Sequence, residues 1–255
     1  YIVCFKLTRE RVEVPASSQK VSASAIFKSI FTNRALLGII VAAIFVLLSQ
    51  LTVMSLAGYV YPNVYGSAAA QSTASLLGTV VMLIVCAPFA SKLAAKFGKK
   101  ELAVASSICS ALVWLVCLIW RPASVWGFVA CYILANIGMG FFNTIIWAMI
   151  TDVIDDAEVR SGIREDGTIY SVYSFARKLG QAFSSGLVGA LLGIIGYTEA
   201  TAFDPAVTRG IFNMACIAPI IGFVCIVLAL VFLYPLNKKK VEENVAALAA
   251  RRNSK

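Results

Sequence analysis

Six long stretches of mostly apolar residues dominate this sequence, and hydrophobic residues make up 60% of it. A helix of about 20 apolar residues crosses the hydrocarbon core of a bilayer, which is about 30 Å thick. Inside that core each backbone polar group needs an internal partner, which a helix supplies. The sequence therefore predicts an all-α membrane protein, a six-transmembrane-helix bundle. The predicted spans are 35–60, 70–91, 102–120, 124–150, 168–196 and 211–236.

The distribution of Lys and Arg predicts the orientation of these spans. Cytoplasmic loops of membrane proteins carry an excess of these cations. The loops on one side are rich in them, whereas the opposite loops contain only Arg121 and Arg209. We therefore expect both ends of the chain at the cytoplasmic face of a plasma or inner cell membrane. The cation-rich segments are residues 1–34, 92–100, 151–167 and 237–255.

The chain divides into three parts by composition. Residues 1–34 begin like the last turn of a preceding apolar span, continue as a polar cytoplasmic linker and end in a short amphipathic helix typical of the membrane surface. Residues 35–236 form the transmembrane domain, and residues 237–255 form a basic cytoplasmic tail. Because Tyr1 is not a methionine, we expect a segment before it.

The span at 168–196 contains two cations, Arg177 and Lys178, well inside an apolar segment. Charged side chains at membrane depth cost free energy and usually face a water-filled pathway or a ligand. Helical spacing places the polar residues of this span on two adjacent stripes, which predicts a helix lining a wet cavity. One stripe contains Ser171, Ser174, Lys178, Gln181 and Ser185. The other contains Tyr170, Tyr173, Arg177 and Ser184.

The alternative is that both cations extend to the lipid headgroups, as long side chains near a helix end can. A helix that begins near Thr168 places Lys178 roughly 15 Å along its axis, near the middle of a core about 30 Å thick. That depth favours the cavity. The same span has small residues at four-residue spacing, Gly186 and Gly189 among them, which predicts close packing against another helix.

Span four adds polar residues that a lipid-facing helix does not need. Asn143 and Trp147 are one turn apart and share a face. An aromatic ring beside a hydrogen-bonding amide is typical of sugar sites, although close helix packing explains the glycines of this span equally well. We therefore add both residues to the candidate substrate site.

The ionisable residues also exclude several kinds of site. The chain has no histidine, so it cannot form a histidine relay or a histidine-ligated metal site. All 13 acidic residues lie in loops, termini or span ends, and we predict neither a metal site nor a cofactor in this chain. The net charge of +9 is not accompanied by a nucleic-acid-binding motif, and we attribute it to membrane orientation.

Two segments, AMITDVIDDAE at 148–158 and REDGTIYSVYSFARKLGQA at 164–182, resemble the signature of the glycoside-pentoside-hexuronide:cation symporters. This is the melibiose-permease-like branch of the major facilitator superfamily. The resemblance extends over essentially the whole chain, including ERVEVP, FTNRALL and GIIGY. It implies a twelve-helix fold of two six-helix halves, of which this chain is the second. The turn at 91–101 also resembles the superfamily's loop motif, with Ala95 in place of its aspartate.

The resemblance implies roles for individual residues. Lys178 corresponds to a cavity-facing lysine of helix eleven, and Tyr173, Ser174 and Arg177 match positions near the sugar. The family's cation-binding aspartates belong to the first half, so the ligands of a coupling Na⁺ or H⁺ are expected outside this chain. A charged cytoplasmic segment follows helix ten, and it is either a gate between the halves or ordinary solvated loop charge. That segment contains Asp152, Asp155, Asp156, Arg160 and Arg164.

Three functions are compatible with these features. The leading prediction is a secondary transporter that couples a glycoside, pentoside or hexuronide to Na⁺ or H⁺ by alternating access, with an N-terminal six-helix half as its partner in the bilayer. Arg177 beside Lys178 favours a carboxylate-bearing sugar. The second is a Mg²⁺-dependent alcohol phosphotransferase or prenyltransferase with Asp152, Asp155 and Asp156 as ligands, although such enzymes need a second acidic cluster. The third is a lysolipid transporter of the same fold.

Overall fold

The computed structural model describes residues 6–7 and 33–253, and its described part is helical without strands. The predicted end of a preceding span at residues 1–5 and most of the predicted surface helix at 22–34 lie outside the described residues. From residue 33 onward the chain forms α1 (Arg34–Tyr59), α2 (Ala68–Phe97), α3 (Lys99–Trp120), α4 (Val125–Ser161), α5 (Asp166–Ile194), α6 (Pro205–Leu228) and α7 (Lys238–Asn253). Single π-helical turns, Val60–Val64 and Ala229–Leu233, extend α1 and α6.

The helix ends follow from local chemistry. The side chain of Asn33 accepts a hydrogen bond from the amide of Leu36 and caps α1, as expected of an N-terminal Asn. Pro205 stands at the start of α6, where its missing N–H costs nothing. Gly162 ends α4 with a φ of +75°, a conformation that glycine adopts without steric cost. These signals separate the helices by short turns.

All six predicted spans form helices, and five of them are long and apolar enough to cross a membrane by length and composition. The five include α1 and α6 with their π-helical turns, together with α2, α3 and α4. Helix α5, which corresponds to the predicted span at 168–196, is not among them, because its two polar stripes lower its mean hydropathy. Among the six helices that correspond to predicted spans, the least apolar is therefore α5, the one that contains Arg177 and Lys178.

The helices pack as a bundle in which α1 contacts α5 and α6, α3 contacts α4 and α6, and α2 contacts α4. Close approach of α1 and α5 depends on Gly180, because a Cβ added there would lie 2.8 Å from the carbonyl oxygen of Ile44. Substitution at this glycine would therefore push the two helices apart.

The close packing predicted for the four-residue repeat in α5 does not occur against any helix in the described part of this chain. Gly186, Gly189 and Gly193 have open space where a Cβ would lie. The glycine that does contact a neighbouring helix, Gly180, lies outside that repeat. The repeat instead leaves a shallow, uncovered strip on α5 beside its exposed polar residues.

Helix α4 extends beyond the predicted end of span four at residue 150 and continues without interruption to Ser161. The charged residues from Asp152 to Arg160 therefore lie on its last turns and not in a segment that follows the helix. The connection to α5 is correspondingly short, from Gly162 to Glu165. The helix continues because its acidic side chains find cationic partners and because Asp156 and Arg160 pair one turn apart.

Candidate functional site

Helices α4 and α5 bring Trp147, Tyr173 and Arg177 together, and we refer to these three residues as the arginine cluster. The rings of Trp147 and Tyr173 meet edge to face, with their centroids 5.5 Å apart. The guanidinium carbon of Arg177 lies 5.4 Å from the centroid of Trp147 and 5.7 Å from that of Tyr173. Such cation–π contacts contribute about 0.5–2 kcal/mol each, more when desolvated. The cluster therefore holds the guanidinium in a defined position.

A hydrogen bond completes the arrangement. Nη1 of Arg177 donates to the hydroxyl oxygen of Tyr173 over 3.2 Å, and the Tyr173 side chain is buried. Arg177 is half-buried and forms no ion pair with an acidic residue of the described chain. Arginine has five N–H donors, so most of its donors and its charge are available. A partly desolvated cation without a counter-ion is suited to an anionic ligand.

Lys178, Gln181 and Ser174 occupy the adjacent, open face of α5. Nζ of Lys178 donates to Oε1 of Gln181 over 3.1 Å, and Lys178 and Ser174 are exposed. The two predicted stripes are therefore separated in the bundle. In the stripe with Arg177, Tyr173 and Ser184 are buried against neighbouring helices but Tyr170 is exposed, whereas the stripe with Lys178 is largely uncovered in this chain.

Helix α1 contributes two polar residues that sequence reasoning missed. Oε1 of Gln50 accepts a hydrogen bond from Nδ2 of Asn143 over 3.5 Å, and the hydroxyls of Thr52 and Ser184 lie 3.2 Å apart. The available signal was a lone amide beside the hydroxyls of Ser49, Thr52 and Ser55 in a mostly apolar span. The amide pair places Asn143, a predicted site residue, beside α1.

Two of the charged residues near the end of α4 are buried. Asp152 is 5% exposed and accepts a hydrogen bond from Lys99 at the start of α3 over 2.6 Å. Asp156 is 1% exposed; Asn244 of α7 donates to its Oδ1 over 3.0 Å, and Nη2 of Arg160 lies 2.8 Å from its Oδ2. These carboxylates hold α3 and α7 against α4.

Arg164 in the short turn contacts three other carboxylates. Its Nη1 lies 3.1 Å from Asp155 and 2.8 Å from Glu158, and its Nε lies 2.8 Å from Asp166. The hydrogen bond to Glu158 is the main cause that raises the pKa of Arg164, followed by the other two carboxylates. The five predicted charged residues therefore lie at one end of the molecule but do not form one network. Asp152 pairs with Lys99, Asp156 and Arg160 cluster with Asn244, and Asp155 clusters with Arg164.

The site residues thus divide into two regions along α4. Trp147 belongs to the arginine cluster, and Asp152 follows it by little more than one turn. The predicted substrate residues and the predicted charge network are therefore connected by one continuous helix. No group of three or more potential metal ligands is formed by the described residues.

Comparison with known proteins identifies the relatives of this chain. The family described as MFS/sugar transport protein matches residues 1–238. The chain is 28% identical over 255 residues to the glucuronide carrier protein homolog of Escherichia coli, covering 99% of this chain and 54% of that protein. It is 29% identical to an uncharacterized symporter of Bacillus subtilis, covering 94% and 52% respectively. A putative sulfoquinovose importer of Escherichia coli is 26% identical, with 99% and 54% covered. The chain therefore spans about half the length of the curated relatives it matches.

Proposed function

This chain belongs to the MFS/sugar transport protein family, and from that premise we propose that it is the C-terminal half of a cation-coupled symporter for anionic sugars. Relatives named as a carrier, a symporter and an importer support transport as the activity. Alternating access in such folds depends on two halves that move around a shared midplane site. The substrate, the coupling ion and the second half are the proposed elements.

The arginine cluster carries the proposal of an anionic substrate. Its guanidinium is fixed by two aromatic rings and a tyrosine hydroxyl and has no acidic partner in the described chain. Arginine binds carboxylates through two parallel hydrogen bonds, and the geometry of a sulfonate is similar. The names of two relatives refer to a glucuronide, which carries a carboxylate, and to sulfoquinovose, which carries a sulfonate.

The remaining site residues suit the uncharged part of a sugar. The half-exposed ring of Trp147 offers an apolar surface to the C–H face of a pyranose, and the amides of Asn143 and Gln50 bind hydroxyl groups. On the open face of α5, Lys178 adds a second cation, with Gln181 and Ser174 beside it. The arginine cluster thus binds the anionic end of the substrate, while the open face of α5 contacts the part of the sugar that is directed toward the other half.

The partner that completes the site is an N-terminal six-helix half. The face of α5 with Ser174 and Lys178 is exposed, and the neighbouring Gly186 and Gly189 are uncovered. Polar side chains and glycines exposed to lipid are unfavourable, so a second half is the suitable cover. The ligands of the coupling Na⁺ or H⁺ belong to that half. The excess of cations at both ends of this chain supports their location at the cytoplasmic face of the cell membrane.

The charged end of α4 acts as the cytoplasmic gate of this transporter. Asp152 and Asp156 join α4 to α3 and α7 through buried polar contacts, while Arg164 joins the short turn to both helices beside it. When the two halves move, these contacts must either break or move together with the helices that they join. The gate therefore affects the rate of transport more than the affinity for sugar.

The alternative functions receive less support. For a Mg²⁺-dependent transferase, Asp152, Asp155 and Asp156 would have to converge on one ion, but each has its own cationic partner. A lysolipid transporter would need an apolar surface around Lys178, whereas Gln181 and Ser174 are its neighbours. Nucleic acid is not a proposed partner.

Transport by the chain together with its N-terminal half tests the proposal. Proteoliposomes under a Na⁺ or H⁺ gradient are supplied with a glucuronide and with the matching uncharged glucoside. We expect gradient-driven uptake of the glucuronide, and Arg177→Gln to reduce it about 10- to 100-fold, since hydrogen bonds to charged groups contribute about 1.5–3 kcal/mol.

The control variant is Lys239→Gln, which removes an exposed cation of α7 and should leave uptake unchanged. If Arg177→Gln reduces uptake of the glucuronide and of the glucoside equally, the guanidinium does not recognise the anionic group and the proposed preference for anionic sugars is wrong. Turnover of a nucleotide-activated lipid with Mg²⁺, without uptake, would favour the enzyme instead.

A further inference from the structure

A cavity of about 380 Å³ opens at the end of the bundle opposite the charged end of α4. The turn after α1, the turn between α3 and α4, and the start of α6 form its walls. Its apolar wall includes Tyr65, Pro122 and Phe212, and its cations are Arg121 and Arg209. The hydroxyl of Tyr65 donates to the carbonyl oxygen of Pro122 over 3.0 Å, which fixes the α3–α4 turn beside the turn after α1.

Arg121 occupies a position that favours glycine. It ends α3 with a φ of 50°, and no other non-glycine residue in the described part of the chain has a positive φ. A side chain in this left-handed region costs free energy that glycine would avoid, and such strain is often retained at functional sites. Among the described residues, the guanidinium of Arg121 donates only to neutral acceptors, the carbonyl oxygen of Leu118 and the side-chain oxygen of Asn213.

Arg209 has no hydrogen-bond or ion-pair partner among residues 33–253, and its side chain is exposed. No carboxylate lines the cavity. The nearest acid along the chain, Asp204, precedes the lining residue Pro205 and is exposed. Two cations that share one cavity repel each other unless an anion lies between them. The cavity is therefore suited to a singly or doubly charged oxyanion.

Two exposed tryptophans locate the cavity relative to a bilayer. Trp120 directly precedes Arg121, and Trp126 follows it in the first turn of α4; they are 61% and 58% exposed. Tryptophans concentrate at the level of the lipid headgroups. Moreover, α3 and α6 contribute no residue to the arginine cluster or its neighbours, so the cavity is separate from the candidate sugar site. Phospholipids carry their phosphate at this level of a bilayer.

We propose that this cavity binds the phosphate of an anionic phospholipid in the leaflet opposite the cytoplasmic face. The guanidiniums of Arg121 and Arg209 hold the phosphate, and Tyr65 and Phe212 contact the apolar part of the lipid beside it. Arginine is the suitable residue because its planar donors match phosphate oxygens. Binding of this kind connects the turn after α3 to the start of α6 through one ligand.

Native mass spectrometry of the purified protein in detergent tests this assignment. Phosphatidylglycerol, phosphatidylcholine and inorganic phosphate are titrated separately. We expect saturable binding of phosphatidylglycerol, and an increase in its Kd of about tenfold or more in the double variant Arg121→Gly with Arg209→Gln, as for the loss of charge-assisted hydrogen bonds. Glycine suits the backbone of residue 121, so the fold is retained, which thermal unfolding without phospholipid checks.

Two comparisons make the result specific. Lys239→Gln removes a cation from the other end of the molecule and should leave the Kd unchanged, whereas Arg121→Lys retains the charge without the planar donors and should weaken binding less than Arg121→Gly. Equal affinity of the double variant and the unaltered protein for phosphatidylglycerol would overturn the proposal. Displacement of phosphatidylglycerol by inorganic phosphate at equal concentration would assign the cavity to free anions instead.

Discussion

Replacement of Tyr173 by Phe tests how the arginine cluster is positioned. The substitution removes one oxygen atom and retains the ring, so the contact with Trp147 and the cation–π contact with Arg177 remain. Only the hydrogen bond of 3.2 Å from Nη1 of Arg177 is lost. Tyr173 is therefore a positioning residue for the guanidinium, and its loss should affect the anionic end of a substrate.

The size of the effect follows from burial. Hydrogen bonds to charged groups contribute about 1.5–3 kcal/mol, but Arg177 is only half-buried and water can replace the lost acceptor. We therefore expect the lower end of that range, about 1.5 kcal/mol, which corresponds to a roughly tenfold increase in the Kd of a glucuronide. The uncharged glucoside should change by less than about twofold, because its contacts do not include the guanidinium.

Isothermal titration of the purified protein with both sugars measures this difference. Tyr170→Phe is the matched control, since Tyr170 lies on the same helix, is exposed, and has no hydrogen bond to a described residue. Transport kinetics should show the change in KM and not in kcat. The reasoning is refuted if Tyr173→Phe weakens both sugars equally, or if Tyr170→Phe has the same effect on the glucuronide.

Two further predictions concern packing and the buried charges. Gly180→Ala should lower the free energy of unfolding by about 1–3 kcal/mol, because the added methyl group overpacks against Ile44. Gly189→Ala is the control, since its methyl group meets open space and should not change stability. Equal denaturation midpoints for the two variants would contradict the observed packing of α1 on α5. Lys99→Met should destabilise the protein, because it leaves the buried Asp152 unpaired. In thermal unfolding, the double variant Lys99→Met with Asp152→Asn should recover part of that loss. An additive loss in the double variant would show that the pair is not coupled.

The sequence predicted most of the helices because each has a long apolar segment or a polar stripe of helical period. It put Tyr173 with Arg177 on one stripe of α5, and Trp147 with Asn143 on one face of α4, in the candidate site because helical spacing places residues three or four apart on the same face. It did not place Gln50 there, because the approach of α1 to α4 depends on tertiary packing that periodicity does not contain. The continuation of α4 to Ser161 was missed for a related reason: burial of Asp152 and Asp156 depends on Lys99 and Asn244, which are distant along the chain.

The uncovered glycines of α5 show again that helical spacing does not identify tertiary neighbours. Small residues at four-residue spacing indicate that a helix approaches closely, but they do not identify the helix. Within the described chain the close neighbour of α5 is α1, which it meets at Gly180, on a different face. The repeat at Gly186 and Gly189 therefore remains a prediction for the proposed second half.

The unbroken length of α4 has a mechanical consequence. Nine residues separate Trp147 from Asp156, which is about 14 Å along a helix axis. If this segment pivots about Trp147 as a stiff rod, a tilt of roughly 10° displaces its far end by about 2.4 Å. The hydrogen bond between Asp156 and Asn244 is 3.0 Å long and would not survive such a displacement. Helix α7 must therefore either move with α4 or detach from it, so the position of the tail depends on the tilt of the helix that is proposed to contact the sugar.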